Sequence, residues 1–367
     1  MEVRRKKESD EDNGLFVQPV YFDYLTSTGS TLLDLAISGG RTEKGGIPSG
    51  IVMEVFGPSS AGKTAILASI AAHVKHYKGS AKFADPEGRL DQNYSEIYGL
   101  HLDKDEYFRP KYALELFKHI WEFKIKGDGV NALLADSLAA FSSKLEMSND
   151  AGDKMGGQRA KDLHQLMRKT CLKIAGSQLL ICFSNQLHDS MSPYGDGSRT
   201  PGGHAVPFFS SLRVRLANAQ PIVKDVRVSK ETVQSIHEIH KQLRTAKDGK
   251  KYKAPERKDV KTAIGIDTVA TIKKSSVDVP YRTAPIRILF NYGIDDVGAN
   301  IQWLKKIVGL SQYLAVDQEY MALDDAIAHV EEMDNGAEQL REQVIQVWRG
   351  VARDTSRKFQ RKPRKLL

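Results

Sequence analysis

Between residues 27 and 292, short apolar runs alternate with stretches whose apolar positions recur every three or four residues. The runs at 51–56, 81–84, 132–135, 178–183, 212–216, 268–272 and 286–290 predict strands, because four to eight apolar residues bounded by turn residues suit a buried strand. Stretch 63–77 carries Leu67, Ile70, Ala71 and Val74 on one face. Stretch 162–175 carries Leu163, Leu166, Met167 and Ile174 at comparable spacing, so both predict amphipathic helices. Such alternation predicts an α/β protein with a mostly parallel, twisted central sheet flanked by helices. Two segments break it. Residues 218–262 are poor in large apolar groups and rich in Lys and Arg, with a helical pattern near 231–244, and read as an exposed basic insertion. From 296 onward the pattern is helical throughout, through Ile301, Leu304, Ile307 and Val308 and then Leu340, Val344, Val347 and Trp348. The predicted organisation is a short arm over 1–24, a core over 25–295, a small helical C-terminal domain over 296–352 and a basic tail over 353–367.

Composition changes this picture little. Of 367 residues, 41% are hydrophobic and 27% charged, the balance of an ordinary globular protein. A net charge of +8 suits a polyanionic partner without requiring one. Cys171 and Cys182 sit in apolar stretches and read as buried thiols; their spacing gives no metal site. The charged opening residues are followed by no apolar segment, and no run approaches the roughly 20 residues of a membrane span. A cytoplasmic protein with no membrane partner is expected.

The chemistry enters at Gly57-Pro58-Ser59-Ser60-Ala61-Gly62-Lys63-Thr64, which fits G-x-x-x-x-G-K-[ST] between a predicted strand and a predicted helix. Such a P-loop turns its backbone N–H groups around phosphates, and the following helix adds its positive end. Lys63 would reach the β and γ oxygens, and the Thr64 hydroxyl would ligate Mg2+. About 70 residues further on, Asn131-Ala132-Leu133-Leu134-Ala135-Asp136 is an apolar strand ending in a carboxylate, the Walker B pattern; Asp136 would hold the metal, usually through water. Hydrolysis also needs a group that orients water. Asp85 and Glu87 lie just past the strand 81–84, where strand ends face the ligand crevice. Glu87 is the candidate base, and a solvated loop carboxylate is its equal alternative.

At this point the chain resembles the RecA-type recombinases over roughly residues 25–295. Ser27-Thr28-Gly29-Ser30 and Leu33-Asp34-Leu35-Ala36 look like the opening of that family's ATPase core. Phe83 to Asp91 resembles the segment with the catalytic glutamate, which makes Glu87 the base and places Asp91 and Tyr94 at the adenine. Leu179 through Gln186 resembles the strand ending in the glutamine that senses the γ-phosphate. Gly202-Gly203-His204-Ala205, then Phe208 and Arg213, are similar to the end of the second DNA-binding loop. Ile272 to Pro280 resembles the segment from which a neighbouring subunit contacts the γ-phosphate. There the family has two lysines two positions apart; Lys274 matches one and Ser276 stands at the other. Either Lys273 substitutes, or activation across the interface is weakened. The resemblance implies a RecA-like P-loop ATPase core that uses ATP and Mg2+. It implies a DNA-dependent ATPase forming a helical filament on single-stranded DNA and pairing it with homologous duplex. The short arm, basic insertion and basic tail mark a divergent member, of bacteriophage or mobile-element type.

Two glycine-rich segments fit strand binding in their own right. The first, about 146–157, leads into Arg159, Lys161, Arg168 and Lys169, which could track a backbone; a solvated helix face is the alternative for Arg168 and Lys169. The second, about 187–206, is expected to lack regular structure over roughly 20 residues, which is unusual unless functional. Its Gly202 and Gly203 let backbone approach phosphate. Met191 or Tyr194 could wedge between or stack on bases, or could pack within the loop. The reading that competes with a recombinase is a RecA-fold mediator or regulator that binds ATP and a protein without exchanging strands; the short arm and Ser276 favour it.

Overall fold

The computed structural model describes residues 21–138, 155–189, 198–199, 205–227, 234, 238–239, 241–242 and 259–359. Met191, Tyr194, Gly202 and Gly203 lie outside them, as do most of the basic insertion and the end of the tail. Of Arg159 only the backbone is described.

Strand β1 (Tyr21–Thr26) pairs antiparallel with β2 (Ile47–Ser49), so the segment expected to be an arm contains part of a strand. Helix α1 (Thr31–Ser38), which lies between them in sequence, is buried along its whole length. The opening motif is therefore structural. Ser30 caps α1, and Asp34 accepts hydrogen bonds from the Ser27 hydroxyl at 2.5 Å and from the Thr28 N–H and hydroxyl at 2.8 and 2.7 Å. Gly29, at φ 86°, lies so close to the next helix that a Cβ would fall 2.2 Å from Ser69 Oγ.

The core then follows the predicted alternation: β3 (Val52–Gly57), α2 (Lys63–His76), β4 (Ala81–Ala84), α3 (Gln92–Glu96), β5 (Tyr107–Phe108), α4 (Ala113–Trp121), β6 (Asn131–Ala135), α5 (Met155–Ile174) and β7 (Leu179–Gln186). Helix α5 starts earlier than its periodicity indicated, taking in Gly156 and Gly157 of the expected first loop. Next come a hairpin of β8 (His188–Asp189) with β9 (Ser198–Arg199), and helix α6 (Ala205–Phe209). The second glycine-rich segment is therefore not wholly irregular. Strand β10 (Leu212–Leu216) returns to the sheet.

Among the described residues the sheet has ten strands, and β10-β3-β7-β6-β4-β5 are mutually parallel. Every residue of β3 and β6 is buried, which is why these strands read as continuous apolar runs. The rest departs from the parallel expectation. Strands β11 (Gln220–Arg227), β12 (Asp259–Ser275), β13 (Thr283–Leu289) and β14 (Gly293–Ile294) join antiparallel. The seven-residue connection from β12 to β13 is too short for a parallel crossover. Strand β12 runs 17 residues, and its first part pairs with β11 as an exposed ribbon, so part of the basic insertion is sheet.

Residues 296–359 are not helical throughout either. Helices Asp296–Val308, Leu323–Glu332 and Gly336–Phe359 are interrupted by a hairpin of Tyr313–Ala315 with Gln318–Tyr320. Gly309, at φ 77°, terminates the first helix and forces the change. Leu304, Ala326, Val330, Leu340 and Val344 belong to the same apolar cluster as α1, α2 and alternate residues of the central strands, and a second cluster joins the remaining strand residues to α4, α5 and α6. No helix among the described residues is long and apolar enough to cross a membrane.

Candidate nucleotide site

Strand β3 lies between β7 and β10, and its last residue, Gly57, opens the P-loop. The two glycines of the motif have separate reasons. A Cβ on Gly57 would stand 2.8 Å from the Leu216 carbonyl oxygen of β10. Gly62 adopts φ 94°, and a Cβ there would meet Ile288 Cδ1 at 2.4 Å. Lys63, mostly buried, folds back to donate to the carbonyls of Gly57 at 3.1 Å and Pro58 at 2.6 Å. Burial lowers its pKa, against the pull of Asp136.

Asp136, one residue beyond β6, is 1% exposed and accepts from the hydroxyls of Thr64 on one oxygen and Ser184 on the other. Burial raises its pKa while the two hydroxyls oppose the rise. This is a hard, all-oxygen pair at the mouth of the P-loop, and it fits Mg2+, which keeps several waters and takes its remaining ligands from phosphate. Among the described residues no cluster of three or more His, Cys, Asp or Glu side chains could hold a metal by itself.

The two carboxylates past β4 have different work. Asp85 is fully buried and braces the turn. Its oxygens accept the N–H groups of Gly88 and Leu90, each at 2.8 Å, and the Tyr107 hydroxyl at 3.0 Å. The turn so formed presents Glu87, whose Oε1 accepts from the Ser137 hydroxyl at 2.8 Å and whose Oε2 pairs with Arg89. Strands β4 and β6 are adjacent and parallel, which brings Glu87 beside the residue after Asp136. Gln186, half-buried, ends β7 in register with Gly57, so it sits one strand over from the start of the P-loop.

Beside the P-loop, a cleft lined by Ser59, Ser60, Gly62, Lys63 and Thr64 continues to Tyr94, Tyr98, Ile266, Ile288 and Phe290. The Tyr98 hydroxyl donates to that of Tyr94 at 3.2 Å, and the rings meet edge to face at 5.4 Å. Tyr94 therefore lines this cleft, whereas Asp91 caps α3, accepting the Tyr94 N–H at 2.7 Å, and lines the adjoining cavity. Sequence reasoning missed Ser137, Ser184 and Tyr98. Ser184, a hydroxyl inside a buried apolar strand, was the only one with a visible signal.

The basic residues separate in space. Lys161, Arg168 and Lys169 are exposed on α5, opposite its buried Leu163, Met167 and Thr170. Lys169 lies 3.8 Å above the Trp121 ring, so part of its role is packing. Arg213 is committed elsewhere: its Nε donates at 2.5 Å to Glu54, which is fully buried, and its guanidinium covers Phe56. Lys274 donates to the carbonyls of Pro207 and Phe208 in α6 at 2.9 and 2.7 Å. Arg213 pairs with Lys274 and Val214 with Ile272, which makes Lys273 the extra residue of a β-bulge. It lines a groove with Arg215, Thr271, Pro58 and Ser59, on the β10 side of the P-loop. Cys182 is fully buried and Cys171 half-buried.

Residues 23–246 match the RecA N-terminal domain family. Among curated proteins, the chain is 30% identical over 275 residues to Protein RecA of Lactococcus lactis subsp. cremoris (strain MG1363), a match covering 75% of this chain and 62% of that protein. It is 28% identical over 292 residues to Protein RecA of Delftia acidovorans (strain DSM 14801 / SPH-1), covering 77% and 68%. To Protein RecA of Chlamydia trachomatis serovar D (strain ATCC VR-885 / DSM 19411 / UW-3/Cx) it is 29% identical over 275 residues, covering 75% and 67%.

Proposed function

The chain belongs to the RecA family, and from that premise we propose that it is an ATP-dependent DNA recombinase. In this reading it polymerises on single-stranded DNA, pairs it with homologous duplex and promotes strand exchange in recombination and repair, with ATP hydrolysis permitting release. The observation that carries the reading is the convergence of Lys63 and Thr64, at the start of α2, with Glu87, Asp136 and Gln186 at neighbouring strand ends.

Each residue has a task that follows from its position. The loop 57–64 cradles the phosphates, and Lys63 exchanges the carbonyls of Gly57 and Pro58 for phosphate oxygens. Thr64 and Asp136 would hold Mg2+, which when bound would supply neutralisation of phosphate charge. Tyr94 and Tyr98 offer ring faces and hydroxyls to the base. Glu87 orients the attacking water, with Ser137 fixing its carboxylate. Gln186, level with Gly57 and leading into the second glycine-rich segment, passes the state of the γ-phosphate to the DNA grip. The bulge turns Lys273 and Lys274 out of the buried face that Ile272 occupies, which supports Lys273 serving where the family's second lysine is absent. Lys161 and Arg168 supply backbone contacts on the exposed face of α5.

Imaging on single-stranded DNA with a nonhydrolysable ATP analogue tests this. Continuous helical filaments are expected. Discrete rings or monomers would favour the mediator reading, and no salt-sensitive complex with ATP present would remove the recombinase reading.

A further inference from the structure

Arg89 sits two residues after Glu87 and pairs with its Oε2. The same side chain lines the cleft with Lys63 and Thr64. Among the described residues of that cleft, the cations are Lys63 and Arg89. The positive charge of Arg89 reaches both neighbours, depressing the pKa of Lys63 and opposing the rise of that of Asp136. Glu87 is meanwhile engaged on both oxygens, by the Ser137 hydroxyl and by this guanidinium. Each oxygen keeps a lone pair for a water, but the guanidinium charge on Oε2 draws off the electron density that would polarise it.

We propose that Arg89 is a γ-phosphate ligand supplied by the same chain, exchanging Glu87 for the terminal phosphate when a nucleoside triphosphate seats on the P-loop. The proposal rests on the nucleotide-site reading above. The exchange is physically easy. The Arg89 side chain is 45% exposed, and ion pairs so open to water contribute little. A guanidinium binds phosphate through two parallel charged N–H donors, which is the stronger arrangement. The move also frees Glu87 at the moment a cation reaches the phosphate, where transition-state charge collects. A diphosphate offers no γ group, so Arg89 stays on Glu87. The pair is then a detector for the third phosphate, built into one turn and independent of the neighbouring subunit.

The test compares the full-length protein with Arg89→Ala and Arg89→Lys, measuring Mg2+-dependent affinity for ADP and for a nonhydrolysable ATP analogue. In Arg89→Ala the preference for the triphosphate is expected to fall about tenfold with ADP affinity nearly unchanged, and Arg89→Lys to keep part of that preference. Steady-state ATP hydrolysis by Arg89→Ala should fall about 10³-fold, the lower end of what an arginine at a transferring phosphoryl supplies. An unchanged preference in Arg89→Ala, or hydrolysis equal to or faster than wild type, overturns the proposal. Wild-type protein that binds neither nucleotide overturns the site reading itself, and the role of Arg89 with it.

Discussion

Along the parallel half of the sheet, Lys63, Thr64, Glu87 and Asp136 each contact another polar group of the site. From β10 onward, where the sheet turns from parallel to antiparallel, the charged residues are divided among unrelated tasks. Arg213 neutralises Glu54, Lys274 ties down α6, and Lys273 is set out by a bulge. On the first side position follows from strand order, because parallel strands end at a common level. On the second it follows from register and from one inserted residue. Substitutions on the first side should therefore change chemistry with the fold intact, and those on the second should change stability or assembly.

The largest effect that could break this division is Lys63→Ala. It is expected to abolish nucleotide-dependent DNA binding in a salt-controlled binding assay while leaving the thermal transition nearly in place. Glu87→Gln comes next. It should bind ATP and DNA normally and lose roughly 10²- to 10⁴-fold in turnover; wild-type turnover would remove Glu87 from the base role. At the boundary between the halves, Glu54→Ala on β3 removes the carboxylate partner of Arg213 on β10, whose guanidinium lies over Phe56, and removing one partner of a buried pair costs about 3–5 kcal/mol. Urea denaturation measures it. A loss below about 1 kcal/mol would show that Arg213 can reach water, and would return it to the candidates for DNA contact.

A smaller effect concerns pH. Burial lifts the Asp34 carboxyl from 3.8 to about 6. The folded protein then holds a proton between those values that the unfolded chain has released. This group's contribution to stability is highest below pH 4, falls as pH rises to about 6, and amounts to about 3 kcal/mol. Asp34→Asn should flatten that part of the curve of unfolding temperature against pH, and equal slopes in the two proteins would refute the assignment. Smallest is Lys273→Ala. As a surface change on a bulge it should shift stability by less than about 0.5 kcal/mol, yet lower DNA-stimulated hydrolysis if Lys273 serves at a subunit interface.

How far these features were legible follows the same division. The 57–64 loop and the strand ending at Asp136 show in the sequence because phosphate and metal demand particular residue types at fixed spacing. Strand β13 and the end of β12 were visible as apolar runs, but nothing in a run states its direction, and β11, exposed along its length, shows no apolar run at all. The bulge at Lys273 depends on which residues β10 places opposite, and the split between Asp85 and Glu87 depends on Tyr107, some 20 residues away, reaching only the first. Arg213 read as a DNA residue through the family resemblance alone, and its pairing with Glu54, 159 positions distant inside an apolar strand, could not be seen. The β8–β9 pairing and the hairpin at 313–320 were hidden for a simpler reason: strands of two or three residues are too short to show a period.

The core shared by α1 and the C-terminal helices bears on how the polypeptide is made. Thr31 bonds to Asp296 at 2.7 Å and to Arg341 at 3.1 Å, and Leu340 and Val344 close the same apolar cluster as Leu33 and Leu35. A growing chain therefore emits α1 some 300 residues before the ribosome delivers Leu340 and Val344, which complete its cover. Throughout that interval α1 is open to whatever else binds nascent apolar helices, and its cluster closes only when helix Gly336–Phe359 is released.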